Sequence, residues 1–169
     1  SNAILQGFTL QNGNGNDEDP DNNGSFYTYG GGIYCENSDP LIKDCIIQNN
    51  TANEGGGAGI FCYDSSPIFF GCIIKENETD DVGGGLYARD GSSPSFFDCV
   101  FKDNTAEFGG GCYLKSSSSP VMENVVFMQN NANNSGGGIG LKDDANIQAS
   151  NLTISENLAE GLGGGLYIN

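Results

Sequence analysis

A glycine triplet recurs along this chain at nearly constant intervals. Gly30, Gly57, Gly83, Gly109, Gly136 and Gly163 each open a copy of one segment, with steps of 26 or 27 residues. The copies read GGGIYCENS, GAGIFCYDS, GGGLYARDG, GGGCYLKSS, GGGIGLKDD and GGGLYIN. A fixed period between about 20 and 50 residues marks a solenoid or an array, whose stability adds up through contacts between neighbouring repeats. A second ladder, Pro40, Pro67, Pro94, Pro120 and Ile147, keeps the same step, and ten residues beyond each rung stands Asn50, Asn77, Asn104, Asn130 or Asn157. Three markers in one register make the repeat the unit of the fold.

Each copy consists of short runs rich in β-branched and aromatic residues, broken by Gly, Pro, Asn, Asp and Ser, the pattern of strands between turns. Strand alternation sends the first and third positions after the glycines inward: Ile33 with Cys35, Ile60 with Cys62, Leu86 with Ala88, Cys112 with Leu114, Ile139 with Leu141 and Leu166 with Ile168. A strand after the proline row offers Ile42, Phe69, Phe96, Met122 and Ala149 to the interior. The next offers Cys45, Cys72, Cys99, Val125 and Leu152 beside Ile47, Ile74, Phe101, Phe127 and Ile154. The reading is an all-β, right-handed, single-stranded parallel β-helix: about six coils of 26–27 residues, three short strands per coil, each coil advancing about 4.8 Å. Glycine permits a sharp turn and close backbone approach, and the asparagine row is expected to hydrogen-bond between coils. Ser1, Asn2 and Ala3 read as the remnant of an expression tag. Residues 4–169 then form one repeat domain, read as a piece of a longer chain, with an acidic loop inserted at about residues 13–25.

Paired short marks, Gly83-Gly84-Gly85-Leu86 with Phe101-Lys102-Asp103-Asn104 and Gly136-Gly137-Gly138-Ile139 with Phe127-Met128-Gln129-Asn130, resemble the GGA-I and F-x-x-N repeats of chlamydial-type polymorphic outer membrane proteins. That family lies within the pectate-lyase-like right-handed β-helix superfamily. The resemblance implies a secreted or outer-membrane, cell-surface β-helix serving as an adhesin or passenger. Its partners would be a host or cell-surface protein or glycan together with adjoining repeats or domains of the parent chain, and membrane attachment would come only through parts outside this piece.

The net charge of −16, from six Lys plus Arg against 22 Asp plus Glu, excludes nucleic acid as a partner, because phosphate binding needs clustered cations. Histidine is absent, which removes the commonest general base. No convergent catalytic cluster is visible, so the chain reads as a non-catalytic adhesin, passenger or rigid spacer. The alternative is a carbohydrate-active enzyme fragment, a polysaccharide lyase or hydrolase, using Arg89, Lys115 and nearby carboxylates. Arg89, Lys115 and Lys142 share one column, which reads either as a contact for an anionic sugar or as relief of repulsion from the row of Asp64, Asp90 and Asp143.

No cofactor is required by this reading. Ca²⁺ is the one cation for which candidates exist, Asp17, Asp19 and Asp21 in the insertion; Asp64 with Asp90, and Glu76 with Asp103, also match between neighbouring coils, but no complete EF-hand-like ligand set is present. All six cysteines fall at inward positions and are expected to be free buried thiols. Between the inward pairs after the glycines lie Tyr34, Phe61, Tyr87, Tyr113, Gly140 and Tyr167. Alternation places this aromatic column on the outer surface, where Tyr34, Phe61, Tyr87, Tyr113 and Tyr167, with Arg89, Lys115 and Lys142, are the candidate binding residues. Ile46, Ile73, Val100, Val126 and Thr153 form a second outward column, expected to be covered by a loop, module or partner.

Overall fold

The computed structural model describes residues 3–19, 24 and 27–169. Its strands stack into parallel sheets in which each strand pairs with its equivalent one coil away. Sheet I comprises Ile4–Gln6, Leu41–Lys43, Ile68–Phe70, Ser95–Phe97, Val121–Glu123 and Gln148–Ser150. Sheet II comprises Thr9–Gln11, Ile46–Gln48, Ile73–Lys75, Val100–Lys102, Val126–Met128 and Thr153–Ser155. Sheet III comprises Thr51–Ala52, Glu78–Thr79, Thr105–Phe108, Asn131–Ser135 and Leu158–Ala159, and sheet IV Ile33–Glu36, Ile60–Tyr63, Leu86–Arg89, Cys112–Leu114, Ile139–Leu141 and Leu166–Ile168. The chain makes about five turns of a parallel β-helix, close to the six coils expected.

One expectation is corrected. A full coil carries four short strands rather than three. The additional one, sheet III, buries only small residues, Ala52, Thr79, Ala106, and Ala132 with Ser135, and leaves Ala159 partly buried, so it leaves no hydrophobic alternation to read. Within the insertion, Asn16–Glu18 pairs antiparallel with Tyr27–Tyr29, which in turn joins Glu54–Gly56.

The interior is the predicted set of stacks. Phe69 lies on Phe96 at 4.7 Å and Phe101 on Phe127 at 4.5 Å, both with nearly parallel rings, a favourable offset arrangement. All six cysteines are free and buried. In the last coil the inward residues Leu166 and Ile168 are 44% and 70% exposed, because no further described strand lies over them.

Corners are made by residues with left-handed backbone. Asp44, Gly71, Asp98, Asn124 and Asn151 turn sheet I into sheet II, and Asn49, Glu76, Asp103, Gln129 and Glu156 turn sheet II into sheet III. Asp and Asn tolerate this region better than other side chains, so much of the acidic composition is corner chemistry. The asparagine ladder follows directly. The Nδ2 groups of Asn50, Asn77, Asn104 and Asn130 each donate to Oδ1 of the next rung at 2.9 Å, and the backbone N–H of each rung donates to the same oxygen. A shorter serine ladder, in which the N–H of Ser38 and Ser65 donates to Oγ of Ser65 and Ser92, supports the corner between sheets IV and I.

Substituting Asn104→Ala strips the acceptor from the N–H and Nδ2 of Asn77 and the donor from the Ile74 carbonyl. A loss of about 2–4 kcal/mol in unfolding free energy is expected, since buried unsatisfied groups cost about 1–3 kcal/mol each. Chemical denaturation of the two proteins measures it.

Candidate functional site

The glycine triplet builds the site. Its first residue has positive φ, between 60° and 74° in Gly30, Gly57, Gly83, Gly109, Gly136 and Gly163, so the chain doubles back over the strand it is about to form. The second and third glycines meet neighbouring backbone: a Cβ on Gly110 would crowd the Asn131 carbonyl oxygen, and one on Gly111 would stand 2.5 Å from that of Gly138, although the second coil accommodates Ala58 at the second position. Doubling back lays the residue before each triplet over the outer face of sheet IV. Tyr29, Val82 and Phe108 hold this position and pack on the aromatic column.

This corrects the expectation that the column lies exposed. Tyr34, Phe61, Tyr87, Tyr113 and Tyr167 do point away from the interior, but Phe61 is fully buried, and Tyr87 and Tyr113 are 5% and 6% exposed. Tyr29 stacks on Phe61 at 4.4 Å, Phe61 meets Tyr87 at 5.4 Å, and Tyr87 meets Tyr113 at 5.9 Å. The column is a second apolar core outside the tube. The signal that could have shown it is the periodic row Tyr29, Val82 and Phe108, which stands immediately before the glycines.

The roofed column opens at both ends. At one end Tyr34, Tyr29, Glu18, Asn14 and neighbouring glycines line a cleft of about 380 Å³. Burial, then Glu36 and Glu18, raise the Tyr34 phenol well above its ordinary value. At the other end a cleft of about 270 Å³ is lined by Tyr87, Tyr113, Tyr167, Lys115 and Lys142, together with Asp81, Val82, Phe108 and Asn169. Five of the eight candidate binding residues meet there. In this stretch the column is interrupted by Gly140, which stands in register between Tyr113 and Tyr167. A Cβ on Gly140 would lie 2.8 Å from Cδ2 of Tyr113, so the missing side chain gives the Tyr113 ring its place.

Asp81 was not a candidate from the sequence, because nothing in its local pattern distinguishes it from the other acids. Its carboxyl is raised above 3.8 by burial, an effect opposed by Lys115 and reinforced by Glu107. Burial likewise raises the phenols of Tyr87 and Tyr113, the latter to about 12. The remaining candidates lie apart from this cleft. Arg89 is 8% exposed, with Nε 2.8 Å from Asp90 Oδ2 and its guanidinium over the Tyr63 ring at 5.2 Å. Lys115 Nζ stands 3.8 Å from Asp143 Oδ2. These pairs fit the reading in which the cationic column offsets the acidic row.

Among the described residues no group of three or more metal-donor side chains is arranged to hold a cation. Asp17 accepts a hydrogen bond from Thr28 Oγ1 at 3.0 Å and Asp19 one from the Gly24 N–H at 2.7 Å; Asp21 lies outside the described residues. Glu76 and Asp103, matched between coils, pair with Lys75 at 3.2 Å and Lys102 at 3.3 Å.

The second outward column occupies the outer face of sheet II as expected, with Ile73 38% exposed. Beside it on sheet I, Ile68 and Phe70 are 44% and 41% exposed, and together with Leu41, Lys43 and Phe97 they line a shallow apolar depression of about 460 Å³. The alternation in Ile68-Phe69-Phe70 and Ser95-Phe96-Phe97 carried that signal.

The family described as the right-handed β-helix region matches residues 13–93 and again 71–169. The chain belongs to that family. No curated protein and no solved structure matches it. Membership in the right-handed β-helix family fixes the hand of the coil and the architecture, while function must be argued from the site.

Because the carboxyl of Asp81 is raised on folding, its contribution to stability is fully present below pH 3.8 and is lost as pH rises through the folded value. Asp81→Asn is therefore expected to raise Tm at pH 7, by a small amount because solvent screens a partly exposed group. The gain should shrink with falling pH and vanish below the unfolded value, as thermal melts across that range will measure.

Proposed function

We propose that this chain is a non-catalytic segment of a cell-surface or secreted β-helix protein, of the chlamydial-type polymorphic outer membrane kind, serving as adhesin, passenger or rigid spacer. Its binding element is the cleft of Tyr113, Tyr167, Lys115, Lys142 and Asp81, which takes one ring of a glycan. The observation that carries this reading is the interruption of the aromatic column at Gly140. From Phe61 to Tyr113 the column is filled and roofed, and past Gly140 it opens beside two lysines and a carboxyl. A volume of about 270 Å³ lies just under the range of about 300–1,000 Å³ typical of small-molecule sites, which suits a single sugar ring rather than a long segment. Tyrosine faces supply apolar stacking, and the charged rim supplies hydrogen bonds to hydroxyl or carboxylate groups.

Asp81 supports a second reading, a carbohydrate-active enzyme, because a carboxyl raised by burial beside a lysine is a general-acid candidate. The two readings separate in one experiment. Neutral and acidic glycan panels are screened with the intact chain and with Gly140→Tyr, whose side chain would displace the Tyr113 ring that lines the cleft. Binding without cleavage, weakened at least about tenfold by Gly140→Tyr with the fold intact by circular dichroism, is the expected outcome; one blocked ring contact is worth about 1–3 kcal/mol. Bond cleavage that disappears in Asp81→Asn or Arg89→Ala overturns the non-catalytic reading, and binding unaffected by Gly140→Tyr overturns the site.

A further inference from the structure

Sheet I turns the middle residue of each strand to the interior and the flanking residues outward. Two outward columns result, in strict register from coil to coil: Lys43, Phe70, Phe97 and Glu123 form one, and Leu41, Ile68, Ser95 and Val121 the other. Every strand of this face has a neighbour on both sides, since Leu41–Lys43 also pairs with Ile4–Gln6 and Val121–Glu123 with Gln148–Ser150. Its exposure belongs to the middle of the rod, not to an end. Between residues 30 and 157 the large apolar side chains left exposed are Ile68 and Phe70 on this face and Ile73 around the corner in the same coil. The depression of about 460 Å³ lies over the first two, and a contiguous apolar patch of this kind marks a contact surface.

The order of residues in the first column identifies the occupant. A base stands at one end and an acid at the other, with two rings between them. Neither Lys43 nor Glu123 forms an ion pair with another described residue; Lys43 Nζ lies 5.5 Å from the centre of the Phe70 ring, at the rim of the patch. Within one chain three strand spacings, about 14 Å, separate the two charges. A two-fold axis along the strands, midway between Ile68–Phe70 and Ser95–Phe97, reverses the order of the coils and sets Lys43 of one copy on Glu123 of the other. The same operation sets Phe70 on Phe97, Leu41 on Val121, and the exposed Ile68 on the small Ser95. The corner residues that follow bring no like charges together, because Asp44 meets Asn124 and Gly71 meets Asp98. A two-fold axis along the rod would instead set Lys43 on Leu41 and Glu123 on Val121, which desolvates both charges without pairing them.

We propose that the outer face of sheet I is self-complementary and joins two copies of this chain as an antiparallel, isologous dimer. The two sheets pack face to face about 10 Å apart with their strands aligned, as sheets do in a β-sandwich. Four strands, each three residues wide, cover less than half of the about 800 Å² per partner that a standard stable interface buries. The dimer is therefore weak, populated at concentrations of about 0.1 mM and above. The face is remote from the cleft of Tyr113 and Tyr167, so association leaves that cleft open.

The test is sedimentation velocity of the intact chain from about 10 µM to about 1 mM, with carbodiimide cross-linking and peptide mapping of mixed isotope-labelled and unlabelled chains at the upper end. A concentration-dependent dimer is expected, carrying an amide link between Lys43 of one copy and Glu123 of the other. Phe70→Ser removes an outward ring, leaves the interior stacks untouched, and should raise the dissociation constant at least about tenfold. Lys43→Glu and Glu123→Lys should each raise it at least about threefold, and the two together should restore it, which an apolar contact alone would not do. A chain that stays monomeric up to about 1 mM overturns the proposal. So does a dimer unaffected by Phe70→Ser, as rods stacked end to end would give, one that the paired charge exchange fails to restore, or one whose map shows no link between copies.

Discussion

Every coil meets the next at a single strand spacing, and the backbone hydrogen bonds that set this spacing put each residue against its own equivalent. At the glycine triplets the constraint is tightest, because carbonyl oxygens of neighbouring segments occupy the space where side chains would begin. The rest is consequence. Rings stack on rings, amides on amides and thiols on thiols because the register allows no other neighbour. Such an arrangement rewards residues that attract their own kind and penalises charges, which is why charged groups retreat to corners and strand ends, where Arg89–Asp90 and Lys115–Asp143 meet.

The same constraint explains what the sequence made legible. Period, inward stacks and asparagine ladder were readable because each repeats one chemical type at one offset. Sheet III was not, since a strand that buries only Ala52, Ala106 or Ala132 shows no alternation. The aromatic column was assigned correctly away from the tube and wrongly to solvent. Alternation reports the direction of Phe61, Tyr87 and Tyr113, but their burial depends on where Tyr29, Val82 and Phe108 land after the glycine turn. Asp81 was invisible for a related reason: its environment is assembled from three coils, through Lys115, Tyr113 and Tyr167.

A repetitive scaffold makes its exceptions informative. Gly140 is the one position in its column from Tyr34 to Tyr167 without a ring, and the Tyr113 ring takes the space its side chain would fill. The residue is not unusual by type; it matters because its equivalents one coil away carry rings. Sites in such folds are therefore found by comparing rungs rather than by searching for motifs.

The asparagine ladder also gives the rod a polarity. From amide to amide each Nδ2 donates toward the C-terminal side and each Oδ1 accepts from the N-terminal side, while Nδ2 also donates to a carbonyl of the preceding coil, and bonds in such a chain polarise one another. Injury to one rung is consequently not felt equally in both directions. The rung before it loses the acceptor of its N–H and of one Nδ2 hydrogen, as Asn77 does when Asn104 is lost, while the rung after it keeps its own acceptors. A β-helix of this construction transmits a local defect one way, toward its N-terminal end, as a row of dominoes set at a slant falls more readily to one side.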